Sequence, residues 1–136
     1  MVCVCGNHDI GNSPRREDIQ KYIETFGDDH FSFWHGGVAF LVLNSQFYED
    51  PSHVQDLFKD HESWLEQQLA VAEASGCTHL VTFQHIPWFV NTPDEDKFYF
   101  NVEIEMRRRK LQQLARAGVK KVFCGHYHRQ VSRYRL

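Results

Sequence analysis

The sequence predicts an α/β domain, and three observations indicate it. Short apolar runs at residues 2–5, 79–83 and 120–124 have the length and composition of buried strands. Apolar residues recur at helical spacing between residues 57 and 72. Polar loops that contain glycine follow the first and last of the apolar runs, and such loops are typical of the carboxyl edge of a buried sheet.

The size and charge of the chain narrow the class of protein further. Its 136 residues suffice for one domain, and a hydrophobic content of 42% with eleven phenylalanines favours a globular chain over a disordered one. The net charge of -3 gives no electrostatic footprint for nucleic acid or an anionic membrane, so neither partner is expected. The basic run from Arg107 to Lys110 lies in a helical pattern, and we expect it to form a solvated helix face.

The cysteines and the hydropathy pattern indicate a cytoplasmic protein. Four cysteines stand at positions 3, 5, 77 and 124 without a CxxC pair, and we expect free thiols, mostly buried in strands. No apolar stretch approaches the roughly 20 residues that span a bilayer. No signal peptide is recognisable in the sequence.

The first part of the chain predicts a strand and a helix. Residues 2–5 are expected to be a buried strand. Ser13 and Pro14 have the pattern of an N-cap followed by proline at the first helical position. The helix is expected to continue to Phe26 and to end at Gly27.

A β-hairpin is expected next. Two runs of aromatic and β-branched residues, 31–35 and 38–43, flank a Gly-Gly pair, which is typical of a two-residue hairpin turn. A polar loop over residues 44–56 follows. Asn44 and Ser45, at its start, are expected to have a turn role.

A second helix and strand follow, and then a long loop. The helical spacing over 57–72 ends near Gly76, which we expect to be the C-cap. The apolar run 79–83 predicts a strand. Residues 86–100 predict an irregular loop, whose five aromatic residues either shape a substrate pocket or pack the loop onto the sheet.

The last part of the chain predicts one more helix and two strands. Asn101 is expected to cap a helix that continues to Ala117 and ends at Gly118. Residues 120–124 predict a strand. Residues 130–134 alternate between polar and apolar side chains, so they predict a final strand.

Three short motifs stand at the ends of the expected strands. They are Gly6-Asn7-His8-Asp9, Thr82-Phe83-Gln84-His85 and Gly125-His126-Tyr127-His128. Glycine lets the backbone come close to a ligand, and amide oxygens and imidazole nitrogens suit divalent ions such as zinc, manganese or iron. In their order and content these motifs resemble those of the calcineurin-like metallophosphoesterase family.

The resemblance implies a fold and a domain assignment. The family fold is an α/β sandwich of two mixed β-sheets flanked by helices, and residues 1–136 resemble the C-terminal part of a single calcineurin-like phosphoesterase domain. Two family motifs, Asp-x-His and Gly-Asp-x-x-Asp, do not occur in the chain. We therefore expect an N-terminally incomplete domain with an exposed sheet edge, through which the chain self-associates.

The resemblance also implies roles for individual residues. The implied metal ligands are Asn7, His85, His126 and His128, of which the last would bind a first ion and the others a second. His8 is implied as the acid or electrostatic partner of the leaving group. Asp9 is implied to orient His8 by accepting its other ring N–H, and Arg129 is a candidate phosphate contact.

In the complete family domain two divalent ions lie about 3.5–4 Å apart, and a metal-activated hydroxide attacks the phosphorus. The resemblance thus implies a metal-dependent phosphoric-ester hydrolase of the protein serine/threonine phosphatase type. Its implied substrate is a phosphorylated protein or a small phosphoester. Manganese, iron and zinc are not distinguished by the sequence.

The missing motifs change what is expected of this chain. Without their carboxylates we expect at most one bound metal ion and poor hydrolysis. One alternative is a catalytically inactive isoform or fragment that acts as a binding or regulatory module. The other alternative is a mononuclear structural zinc site formed by His8, His85, His126 and His128.

Overall fold

The structure is a computed structural model that describes residues 1–129. Within that range two helices precede a two-strand hairpin, and helices and strands alternate only after the hairpin. The helices are α1 (Asn7–Ile10), α2 (Arg16–Phe26), α3 (Gln55–Ser75) and α4 (Ile104–Arg116), and a 3₁₀ helix covers Ser45–Tyr48. The strands are β1 (Phe31–His35), β2 (Val38–Val42), β3 (His79–Gln84) and β4 (Val119–Cys124).

The four strands form one mixed sheet in the order β1-β2-β3-β4. β1 and β2 are antiparallel, whereas β2 with β3 and β3 with β4 are parallel. Helix α3 connects β2 to β3 and helix α4 connects β3 to β4, as parallel neighbours require a crossover. The prediction of an α/β fold is therefore confirmed; residues 1–129 supply one mixed sheet, and the predicted strand at 130–134 lies outside the described residues.

The hairpin and the end of α3 are confirmed as predicted from glycine. Gly36 and Gly37 have φ angles of 57° and 78°, and this left-handed pair makes the turn that suits the twist of the flanking strands. Gly76 has φ 64° and ψ 31°, so it ends α3 in the left-handed conformation. The expected strand at 79–83 is also present, one residue longer.

One face of the sheet forms the main core with the long helices. Leu65, Leu69 and Ala72 of α3 are buried with Leu41 and Leu80 of the sheet. Because side chains alternate across a strand, the residues next to these point to the other face. The helices thus cover one side of the sheet.

The other face carries a row of aromatic rings, which we call the phenylalanine row: Phe33, Phe40, Phe83 and Phe123. Each strand contributes one ring, and successive ring centroids are 4.7, 6.1 and 5.3 Å apart. Phe123, on the edge strand β4, is 54% exposed. The described residues therefore leave an apolar surface at this end of the row.

The prediction of a strand at residues 2–5 is wrong for the described structure. These residues make no ladder with any of the four strands, and they lead directly into α1. Cys5 is instead buried in a small cluster with Ile10 and Ile19. An apolar run forms a strand only beside a partner that accepts its backbone hydrogen bonds, and residues 1–129 place none beside it.

Two predicted helix starts are also wrong by a few residues. Helix α2 begins at Arg16 and not at Pro14, because the Asp18 carboxylate accepts the backbone N–H of Arg15 and caps the helix there. Helix α4 begins at Ile104, and its cap is Glu103 instead of Asn101. The Glu103 carboxylate accepts two backbone N–H groups in the first turn, whereas Asn101 is buried and bonds to the preceding loop.

The expectation of a solvated basic face on α4 is wrong for two of its residues. Arg107 is fully buried and Lys110 is 5% exposed, while Arg108 and Arg109 are exposed. A spacing of three places Arg107 and Lys110 on the same side of the helix. There Arg107 donates to backbone carbonyls and Lys110 pairs with the Glu62 carboxylate.

Two further expectations have a structural outcome. All four cysteines are free, but only Cys5 is fully buried, and Cys124 is exposed. No helix among the described residues has both the length and the apolar composition to cross a bilayer.

Candidate metal centre

Three segments of the chain meet at the carboxyl edge of the sheet. Asn7 begins α1, His85 directly follows β3, and His126 follows β4 after Gly125. The backbone N–H of Gly125 donates to the carbonyl of His85 at 3.0 Å, which ties the two strand ends together. This is the edge at which open α/β sheets present ligand-binding loops.

Three side-chain atoms converge there. His85 Nε2 lies 2.9 Å from Asn7 Oδ1 and 3.1 Å from His126 Nδ1. The rings of the two histidines are 4.9 Å apart and nearly edge to face. The structure thus brings together the three residues implied as ligands of one ion.

The hydrogen bonds of His126 fix which of its nitrogens carries the proton. Its Nε2 is 3.1 Å from the backbone carbonyl of Tyr99, and a carbonyl only accepts, so Nε2 carries the proton and Nδ1 presents a lone pair. His85 Nε2 therefore faces two lone pairs, one on Asn7 and one on His126. A single N–H cannot serve both well, whereas a cation between the three atoms serves all of them.

The spacing of the three atoms also fits an ion. In octahedral coordination, bonds of about 2.1 Å meet at right angles and place neighbouring ligand atoms about 3.0 Å apart, close to the 2.9 and 3.1 Å that separate His85 Nε2 from Asn7 Oδ1 and His126 Nδ1. The set contains two imidazoles and one amide but no carboxylate. In the described part of the chain, no group of three or more His, Cys, Asp or Glu residues is placed to hold a metal ion.

Burial keeps the imidazole of His85 ready to act as a ligand. His126 is 7% exposed, and His85 is half-buried. Desolvation and the neighbouring His126 together lower the pKa of His85 to about 4. The ring of His85 is therefore neutral at pH 7, as a metal ligand must be.

Two glycines let the His85 ring occupy this position. A Cβ atom on Gly6 would lie 2.7 Å from His85 Nδ1, and one on Gly125 would lie 3.3 Å from the same atom. The backbone thus approaches the ring from two sides. This is the close approach for which the motif glycines are needed.

Ser45 holds the backbone of the same loop, and its role exceeds the expected turn. Its fully buried Oγ accepts the backbone N–H groups of His85 and Ile86 at 3.1 and 2.8 Å. The end of β2 is thereby joined to the end of β3. These two hydrogen bonds were not foreseen from the sequence.

The loop after β4 has an unusual backbone. His126 and His128 have φ angles of 62° and 52°, a left-handed conformation that is uncommon for residues with a side chain. Such positions cost on the order of 1–3 kcal/mol each, and they concentrate at functional sites. The loop holds His126 in this conformation while its ring remains buried.

The remaining predicted site residues lie around the three donors. His8 and His128 are exposed, and in the described range neither forms a hydrogen bond with Asn7, His85 or His126. The Asp9 carboxylate accepts the backbone N–H of Gly6 at 2.8 Å. Their assigned roles remain predictions.

The structure also shows the position of Arg129 and of the histidines in the alternative zinc site. The Arg129 guanidinium lies over the Tyr127 ring, 5.7 Å from its centroid. Of the four histidines in the alternative zinc site, the structure brings two, His85 and His126, into contact.

Tyr99 is a site residue that the motifs did not reveal. Its hydroxyl accepts from Asn7 Nδ2 at 3.3 Å, and its ring lies 4.9 Å from that of His126. Trp88, in the same loop, is instead buried against Tyr48 in the core. Trp88 therefore has the expected packing role, whereas Tyr99 lies beside the candidate metal centre.

Comparison with known proteins identifies relatives. No protein-family model matches the chain. The chain is similar to proteins named serine/threonine-protein phosphatase CPPED1: 51% identical to that of Homo sapiens over 130 residues, and 50% identical to those of Mus musculus and Danio rerio over 129 residues. Each match covers 95% of this chain but only 41–42% of the relative.

These comparisons bear on the resemblance stated from the sequence. Residues 6–14 and 43–48 indicated a likeness to the calcineurin-like phosphoesterase domain-containing protein 1, and this likeness is confirmed. The chain spans about two fifths of the length of the curated relatives that it matches. Over 95% of its residues, this chain is similar in sequence to proteins named serine/threonine-protein phosphatase CPPED1.

Proposed function

We propose that this chain carries part of a metal-dependent phosphoric-ester hydrolase site that acts on phosphorylated proteins. The observation that carries the proposal is that Asn7 Oδ1 and His126 Nδ1 lie 2.9 and 3.1 Å from His85 Nε2. The substrate class is supported by the relatives, which are named serine/threonine-protein phosphatases.

The residues of the chain divide into ligands and proton carriers. Asn7, His85 and His126 would hold one divalent ion. When bound, such an ion neutralises charge on phosphate oxygens and lowers the pKa of a water molecule that it binds. His8 is exposed beside Asn7, so its ring is free to protonate the oxygen that leaves the phosphorus.

Asp9 and His128 complete the assignment. Asp9 would hold His8 in one orientation and one tautomer by accepting a ring N–H. Its carboxylate is already fixed on one side by the backbone N–H of Gly6. His128 would supply a single ligand to a second ion.

The charge of the ligand set supports one ion per chain. All three donors are neutral, so nothing in this set offsets the repulsion between two closely spaced dications. We therefore expect one ion of moderate affinity and slow hydrolysis. In the complete family domain, the resemblance implies two ions.

A second candidate function is a binding or regulatory module without catalysis. The absence of a carboxylate among the three donors favours it, because a bridging anion would be needed to assemble a two-ion centre. Such a module would still bind one ion through Asn7, His85 and His126.

Calorimetric titration with Mn²⁺ and turnover of p-nitrophenyl phosphate test these proposals together. We expect one Mn²⁺ per chain and slow turnover, both lost in His85→Ala and both retained in His53→Ala, since His53 is an exposed histidine outside the site. Binding without turnover would favour the regulatory module. Two tightly bound ions with fast turnover would refute the single-ion site, and absence of binding would refute the metal centre.

A further inference from the structure

We propose that Tyr99 is a positioning residue of the candidate metal centre. It holds Asn7 and His126 so that the lone pairs of both face the position of the ion. This inference rests on the proposed metal site. It adds to that site a residue outside the three motifs, in the loop between β3 and α4.

The first argument comes from the contacts of Tyr99 with the two donors. Its hydroxyl accepts a hydrogen bond from Asn7 Nδ2 at 3.3 Å, while Asn7 Oδ1 faces His85 at 2.9 Å. An amide whose nitrogen is held on one side presents its oxygen on the other. On the far side of the site, the Tyr99 carbonyl accepts from His126 Nε2 and leaves Nδ1 with a lone pair.

The ring of Tyr99 adds a third contact. It packs on the His126 ring at 4.9 Å with an interplanar angle of 36°, and Phe100 packs on the same imidazole at 5.4 Å. His126 is thus enclosed by the loop although its own backbone is left-handed. One residue, through its hydroxyl, carbonyl and ring, contacts two of the three donors.

The second argument is that the loop has a fixed shape. The Glu95 carboxylate accepts the backbone N–H groups of Val90, Asn91 and Thr92 at 2.7, 2.8 and 3.2 Å. These bonds to an ionised acceptor are of the stronger kind. They close the first part of the loop into a compact turn.

Asn101 fixes the part of the loop that bears Tyr99. It is fully buried, its Oδ1 accepts the backbone N–H of Phe98 at 2.9 Å, and its Nδ2 donates to the Glu95 carboxylate and to the Asp96 carbonyl. The residue before Tyr99 is therefore tied to the turn that Glu95 organises.

Arg107 joins this assembly to α4. Its guanidinium is fully buried and donates to the carbonyls of Pro93 at 2.9 Å, Glu95 at 2.7 Å and Val102 at 2.7 and 3.2 Å. A helix thus anchors the loop from beneath. Tyr99 is placed over the donors by a preformed scaffold, which is what a positioning residue requires.

The test is Tyr99→Phe, which keeps the ring and the carbonyl and removes only the hydroxyl. We expect Mn²⁺ affinity to fall about tenfold, the lower end of the effect of losing a partner that orients a ligand. In the metal-free chain, the side-chain NH₂ resonances of Asn7 should shift in a ¹⁵N–¹H spectrum. Tyr22→Phe is the matched control, because Tyr22 lies on α2 outside the site and its hydroxyl makes no hydrogen bond within residues 1–129.

The outcomes separate this inference from the proposed function. If wild-type chain binds Mn²⁺ and Tyr99→Phe binds it equally well, the positioning role is refuted and the metal centre stands. An unchanged Asn7 resonance would refute the hydrogen bond independently of any ion. If wild-type chain binds no ion, both proposals fail together. Equal losses in Tyr99→Phe and Tyr22→Phe would also overturn the specific role of Tyr99.

Discussion

Replacing Gly6 by alanine tests the packing on which the metal centre depends. The added Cβ would lie 2.7–2.8 Å from three atoms of the His85 ring, whereas ordinary contact begins at 3.4 Å. The ring would have to move by about 0.7 Å, the difference between 2.7 and 3.4 Å. Gly125 lies close to the same ring, so the ring has little room to move away.

The size of the effect follows from the steric clash alone. Gly6 has φ -132°, an extended conformation that alanine adopts readily, so no backbone strain is introduced. Overpacking of this kind costs about 1–3 kcal/mol. If that cost falls on the position of His85 Nε2 relative to Asn7 and His126, Mn²⁺ binds roughly 5- to 150-fold more weakly.

A second glycine provides a graded comparison. A Cβ on Gly125 would lie 3.3 Å from His85 Nδ1, which requires a shift of only about a tenth of an ångström. Calorimetric titration of Mn²⁺ should therefore rank wild type above Gly125→Ala and Gly125→Ala above Gly6→Ala. Wild-type affinity in Gly6→Ala, with an unchanged thermal midpoint, would refute the packing argument.

Three further predictions concern the core and the surface. Arg107→Met should lower the free energy of unfolding by about 3 kcal/mol, because buried carbonyls lose a charged donor, whereas exposed Arg109→Met should change it by less than about 0.5 kcal/mol in urea titrations. His61 is fully buried, and desolvation lowers its pKa from 6.5. The unfolded chain therefore takes up the proton first, and the free energy of unfolding falls as the pH drops below about 6.5. His61→Leu should reduce this pH dependence when unfolding is measured at pH 7.5 and 5.5. Phe123→Ser should weaken the self-association predicted from the sequence, as measured by sedimentation velocity, because it removes the exposed end of the phenylalanine row; unchanged association would locate the interface elsewhere.

Much of the fold follows from local signals in the sequence. The Gly36–Gly37 turn and the left-handed end of α3 at Gly76 were predicted because glycine determines these conformations locally. The prediction of a strand at residues 2–5 is wrong because strand formation depends on a partner elsewhere in the chain. The predicted start of α2 is wrong because Asp18, three residues after Arg15, accepts the Arg15 N–H and provides a cap that competes with the Ser13-Pro14 pattern.

The candidate site also has features that the sequence predicted and features that it did not. The meeting of His85 and His126 was foreseen, because motifs at the ends of the parallel neighbours β3 and β4 come together at one edge of the sheet. Asn7 joins them although no strand precedes it, so only the family resemblance implied its place. The contacts of Tyr99 and the burial of Arg107 were not foreseen. Both depend on how a loop of irregular shape folds back on distant residues, for which the sequence carries no periodic signal.

The left-handed backbone at His126 and His128 lowers the stability of the loop while it holds the proposed ligands. Glycine at either position would relieve the strained conformation and remove a proposed ligand at the same time. A laboratory selection for thermal resistance alone would therefore enrich variants with glycine in place of these histidines. A screen for more stable variants of this protein should therefore measure metal binding as well as thermal stability.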